Sequence, residues 1–250
     1  MATAALLELR QALECRFPDA LPLERLRVPV VGTGVAELDA LLPGGGLARG
    51  RLTAWLPGGG ATAVLRAACE AAVRRGERAA WVDAAGVQSA EGWRSGPLLV
   101  RPAGRREALS SAEELLRSGG FAVVVIIGTG REAGSGAVRL SRAAKAGGAA
   151  LVVVTAEPAV AHLRAVSRLQ PDGFRWRCDP FGEPVDVVAV RVEVEAAALG
   201  WSGRTSFELP VRTHQTRLAP EPRLVDRRGA PGQVRWRRVR RSGQSGDGVG

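Results

Sequence analysis

Tyrosine is absent and lysine occurs once, at Lys145, in a chain of 250 residues. Of the 35 basic residues, then, all but one are arginine. Both shortages fit a coding preference that also enriches Ala, Gly and Arg. The net charge of +10 therefore has two readings: contact with an acidic partner, nucleic acid first, or a basic drift in composition. Cysteine is scarce as well. Cys15, Cys69 and Cys178 are odd in number, far apart and include no C-x-x-C pair, which excludes a disulfide framework and a cysteine zinc site and fits a reducing compartment. The only histidines, His162 and His214, lack acidic or cysteine neighbours at ligand spacing, so no metal is expected and both read as surface residues. Long apolar runs are missing. The longest, 121–127 and 149–155, have strand length and cannot span a bilayer. Glu8 and Arg10 interrupt the first apolar stretch, which excludes a signal peptide. A cytoplasmic location without membrane contact is the expectation.

What the chain does have is a glycine turn in a suggestive place. Residues 51–56 form a short apolar run, 57–60 read Pro-Gly-Gly-Gly, and 62–73 carry helical spacing with Val64, Leu65, Ala68, Ala72 and Val73 along one side. Strand, glycine loop, helix is the layout of a phosphate loop, G-x-x-x-x-G-K-[ST]. Its glycines let backbone N–H groups cradle phosphate, its lysine neutralises charge and its hydroxyl holds magnesium. Here Gly58, Gly59 and Gly60 supply the turn and Thr62 the hydroxyl, but Ala61 fills the lysine slot. Leu56 stands where the opening glycine belongs, and the loop is one residue short. These five residues read as a vestigial site with no cofactor expected.

The remaining pattern alternates. Strands are expected within 76–85, at 98–100, 121–127 and 151–154, and helices at 35–42, 106–118 and 138–146, the last closed by Gly147 and Gly148. Such alternation argues for an α/β fold with a mainly parallel central sheet covered on both faces. After Pro158 the spacing predicts a helix over 159–169, then β segments at 174–178, 185–195 and 205–211 with a turn at 200–203, adding antiparallel strands to one edge. Asp83 is read as ending its strand and capping the loop that follows.

Three regions follow. Residues 1–28 hold an amphipathic helix at 3–14, striped by Leu6, Leu9 and Leu13, and a proline-punctuated linker; the stripe either packs on its own domain or docks another protein. Residues 29–216 are the core domain. Residues 217–250 read as a flexible basic tail. Within it Arg235, Arg237, Arg238, Arg240 and Arg241 surround Trp236, a candidate nucleic-acid contact in which the indole is either a stacking ring or a stray aromatic.

Residues 32–50 read Gly-Thr-Gly-Val-Ala-Glu-Leu-Asp-Ala-Leu-Leu-Pro-Gly-Gly-Gly-Leu-Ala-Arg-Gly. The pattern T-G-x-x-x-L-D-x-L-L-x-G-G-G-L-x-x-G, followed directly by the strand and glycine turn, resembles the RecA recombinase superfamily over about residues 4–212. Within it, the leucine-striped helix and degraded phosphate loop resemble the ImuA family of bacterial mutasome operons. The resemblance implies a RecA-like core and lets the ATPase slots be checked. Ala61 stands for the phosphate-binding lysine, Ala85 for the water-activating glutamate, and Ile126 or Gly128 for the magnesium-holding aspartate. All three are empty, so hydrolysis is not expected. The implied role is that of a non-catalytic accessory protein in damage-induced translesion synthesis. RecA and ImuB would be its partners, an error-prone C-family DNA polymerase an indirect one, and limiting the RecA filament one form its action would take. Two rival readings are an ATPase with an unusual phosphate loop and a DNA-binding factor acting through the tail.

Overall fold

The computed structural model describes residues 28–88, 96–129, 135–156 and 161–211. The leucine-striped segment with Leu6, Leu9 and Leu13, and the arginine tail around Trp236, lie outside the described residues.

An eight-stranded sheet forms the centre, built from β3 (Leu52–Leu56), β4 (Ala79–Asp83), β5 (Leu98–Val100), β6 (Val123–Ile127), β7 (Ala150–Val154), β8 (Leu163–Cys178), β9 (Pro184–Ala198) and β10 (Trp201–Pro210). The order across it is β10-β9-β8-β3-β7-β6-β4-β5. From β8 to β5 all neighbours are parallel; β9 and β10 extend one edge as antiparallel strands. The protein is thus α/β, with a mostly parallel central sheet, flanking helices and antiparallel strands near the C-terminal end of the described chain.

Among the described residues the helices are α1 (Ala36–Leu41), α2 (Ala61–Arg74), α3 (Arg105–Arg117) and α4 (Ser135–Gly147). Strands β4 and β6 are buried along their whole length and β3 and β7 nearly so, as expected for continuous β-branched and apolar runs covered on both sides. Strand alternation then divides the core in two. Trp55, Trp81, Val125 and Val152 face the layer that holds Leu38 of α1 and Val64, Leu65 and Ala68 of α2. Ala54, Val82, Ile126 and Val153 face the opposite layer, where α3 contributes Ala108, Ala112 and Leu116 and α4 contributes Leu140, Ala143 and Ala144. Small residues on α3 and α4 let both helices lie close to the sheet and to each other. A two-stranded sheet of β1 (Val30–Val31) and β2 (Leu47–Ala48), with α1 between them, precedes the glycine turn; sequence spacing alone had no signal for strands this short.

The helix expected over 159–169 is not formed. Residues 163–169 belong to β8. Leu163, Ala165 and Ser167 are buried while Arg164 and Arg168 are exposed, a strand's period of two, whereas the spacing of Leu163, Val166 and Leu169 also suits a helix until the partners are known. Those partners are β3 on one side, Thr53 to Leu56 against Leu163 to Val166, and β9 on the other. The later β segments are longer than expected. Residues 200–203 are not one turn: Trp201 already pairs with Ala198, leaving Leu199 and Gly200 as a two-residue hairpin loop with Gly200 at φ 72°.

Candidate functional site

The segment before the glycine turn is held by one carboxylate. Asp39, on α1, accepts from the Thr33 backbone N–H (2.6 Å), the Thr33 hydroxyl (2.8 Å) and the Gly34 N–H (3.3 Å). Arg75, just past the end of α2, donates to the Gly32 carbonyl at 2.8 Å. Gly34 has φ 75°, and a Cβ there would stand 2.4 Å from the Ala71 Cβ of α2. Threonine, glycine and aspartate of the T-G-x-x-x-L-D pattern therefore act as a clip: side chain to turn, turn against helix. Sequence reasoning used this pattern only as a signature. The spacing of an acidic residue six positions after a Thr-Gly pair was the available clue to its hydrogen bonding.

The glycine turn follows β3 at the C-terminal edge of the sheet, where α/β proteins bind ligands. Gly60 adopts φ 84° and immediately precedes α2. The Ala61 N–H donates to the Gly58 carbonyl at 3.3 Å, so one N–H that a phosphate would use is turned inward. The three glycines are packed against the protein's own strands. A Cβ on Gly58 would lie 2.5 Å from the Ser167 carbonyl oxygen of β8, one on Gly59 3.0 Å from the Leu169 side chain, and one on Gly60 3.0 Å from Leu169 and 3.2 Å from Val192 of β9. Trp55 fixes this contact by donating its indole N–H to the Ser167 hydroxyl at 3.2 Å, both groups buried. Close approach of β8 and β9 thus explains the glycines with no ligand present. Ser167 and Leu169 were missed from sequence because 159–169 was read as helix; Val192 lies in a segment rightly read as β, but nothing local shows that it reaches the glycine turn.

Ala61 is 4 % exposed and belongs to the apolar core, so the lysine slot points into packed side chains. Thr62 beside it is exposed. Lys145, the single lysine, sits on α4 beneath the other face of the sheet. The acidic slots are closed too. Ile126 is buried toward α3 and α4, on the sheet face away from α2. Gly128 has φ 79°, and a Cβ there would meet the Ala85 backbone nitrogen at 2.4 Å and its Cβ at 2.6 Å. The chain at Ala85 fills the volume an aspartate at 128 would need. Asp83 is buried and accepts from the N–H groups of Val87 (3.3 Å) and Gln88 (2.8 Å), the loop-capping role expected of it.

The other titratable candidates are apart from this place. His162 is exposed; partial burial and then the neighbouring Arg51 charge lower its pKa, which keeps it neutral near pH 7. Burial, with a smaller contribution from Glu70, pushes the Cys69 thiol far above its usual range, so it packs as an inert apolar group. Cys178 is exposed. Among the described residues no cluster of His, Cys, Asp or Glu could hold a metal ion, and no helix is long and apolar enough to cross a membrane.

Fold and site together define a class: an α/β protein with a mostly parallel sheet, whose phosphate-loop-shaped turn is closed by its own strands. No family model matches the chain, and no curated protein matches it.

Proposed function

We propose that this chain is a non-catalytic, RecA-like accessory protein of DNA-damage-induced translesion synthesis, acting by binding RecA, ImuB or both. The observation that carries this reading is the glycine turn. It retains the position of a phosphate loop between β3 and α2, while Ser167, Leu169 and Val192 fill the space beside its glycines and Ala61 is buried in the core. Phosphoryl transfer rests on positioned charge, and the Ala61, Ala85, Ile126 and Gly128 positions supply none. The T-G-x-x-x-L-D segment, in order before that turn, supports the RecA-like part of the reading. A core that keeps this layout without the charged residues of turnover suits recognition by a partner that binds RecA-shaped surfaces.

The test uses purified full-length chain with immobilised RecA and ImuB, and a parallel ATPase assay. Saturable binding to at least one of the two, with no ATP turnover above background, is the expected result. Steady hydrolysis that vanishes on Thr62→Ala would remove "non-catalytic" from the reading; failure to bind either protein would remove the proposed partners.

A further inference from the structure

The sheet does not end where its core ends. β3 pairs with β8 only as far as Val166, and β10 pairs with β9 only as far as Ala189. β8 and β9 nevertheless continue as a two-stranded ribbon through Arg177 and Asp186 to the Asp179–Glu183 turn. At Phe174 and Val190 β10 still flanks β9, and the Val211 N–H donates to the Val188 carbonyl at 3.0 Å; further out, both edges of the arm lack a strand partner among the described residues. Two strands alone are marginal in water; a third strand or a covered apolar face is normally needed. This arm has an uncovered one. Phe174 lies opposite Val190, a member of the core facing α2, so the apolar face of the arm continues that of the core. Trp176, two residues on from Phe174, lies opposite Val187 beyond a register shift in the ladder. Leu169, Phe174, Trp176 and Val185 are 38, 41, 51 and 60 % exposed, and Phe181 at the tip is 91 % exposed. The tip is ordered in a way that presents this ring: Asp179 accepts from the N–H groups of Phe181 (2.8 Å) and Glu183 (2.9 Å).

We propose that the arm formed by β8 and β9 is a self-association surface, on which a second copy of this chain docks its own arm about a two-fold axis. Charge points to this occupant. The chain as a whole carries +10, but along residues 168–191 Arg168, Arg175, Arg177 and Arg191 are balanced by Asp172, Asp179, Glu183 and Asp186. Arg175, Arg177 and Arg191 already face acidic groups of the same sheet at 3.2 to 3.8 Å. A nucleic-acid site needs cations in excess, and this arm has none to spare. A neutral surface bearing both signs beside an apolar stripe is self-complementary, which is what an isologous two-fold contact requires. Size agrees. The three aromatics leave about 300–400 Å² of ring surface open, a fitting apolar centre for an interface that needs roughly 800 Å² from each partner, with the charged residues as its rim.

Sedimentation equilibrium of the full-length protein across the micromolar range tests this. The expected mass is twice that of the 26.2 kDa chain, and a Trp176→Ser/Phe181→Ser variant is expected to be monomeric. Phe181→Ser alone, at a side chain too exposed to matter for folding, is expected to weaken the dimer at least tenfold and covers the case in which the double variant fails to fold. A wild-type protein that stays monomeric over this range overturns the proposal, whether a tail, another protein or solvent covers the arm. So does a dimer that Phe181→Ser leaves unchanged.

Discussion

At the scale of single residues, the phosphate-loop positions differ in what they tolerate, and this distinguishes a closed turn from an empty one. The nearest neighbour of a Cβ on Gly58 is a backbone carbonyl, that of Ser167 at 2.5 Å, which cannot rotate away. Gly58→Ala must therefore displace the turn or β8, at about 1–3 kcal/mol. Ala61→Lys, which introduces the residue a phosphate loop uses, places an ammonium at a position only 4 % exposed. It costs about 2–4 kcal/mol unless the first turn of α2 swings outward. Urea unfolding of both variants is expected to show these losses, and Ala61→Lys is expected to gain no ATP binding. An Ala61→Lys protein of native stability that binds ATP would mean that the turn is open to nucleotide.

At the scale of elements, two devices hold the strand–turn–helix unit in place: the clip at Asp39 before it and the Trp55–Ser167 bond behind it. Asp39 satisfies three donors of the Thr33–Gly34 turn, so Asp39→Ala leaves a buried Thr33 hydroxyl and two N–H groups short of their acceptor. Thr33 is 1 % exposed. A loss of about 1–3 kcal/mol is expected, with faster hydrogen exchange confined to residues 30–48 if the clip is local. Uniformly faster exchange would instead make α1 part of the global fold. This clip was legible in sequence as a pattern but not as a set of bonds, because a carboxylate six residues from its turn has no fixed geometry until the helix between them forms. The parallel strands were legible for a simpler reason. Val123 to Ile127 and Ala150 to Val154 are short continuous apolar runs rich in Val and Ile, the composition and length of a strand covered on both faces. Residues 163–169 failed the same reading because Leu163, Val166 and Leu169, spaced three apart, also fit a helical stripe. What decides between the periods is β3 on one side and β9 on the other, contacts 110 or so residues and 30 or so residues away, which local spacing does not encode. The glycine turn was legible in position yet not in state. Its closure depends on those same misread residues.

At the scale of the whole molecule, the proposed function carries a specific expectation about how such a protein would act on RecA. RecA-type protomers join head to tail, an N-terminal element of one packing on the core of the next. A heterologous assembly of that kind propagates only if each subunit offers both faces. A subunit with one compatible face and a closed nucleotide site would end a filament. The leucine-striped N-terminal segment is the candidate for the compatible face, with Leu6, Leu9 and Leu13 worth roughly 1.5–3 kcal/mol each if fully buried, before the cost of association is subtracted. Replacing all three with serine in the full-length chain is expected to abolish binding to immobilised RecA and to leave the melting temperature of the core unchanged. The two measurements belong together. Unchanged RecA binding defeats docking through the stripe. Lost binding with a melting temperature lowered by several degrees, about what 1 kcal/mol produces in a domain of this size, makes the stripe part of the protein's own packing as well and does not decide for docking. The arm of β8 and β9 supplies the internal control, because Phe181→Ser is expected to change self-association and leave RecA binding intact. If both surfaces respond to the same substitution, dimerisation and RecA binding share one interface, and a filament-ending subunit would have to be a monomer.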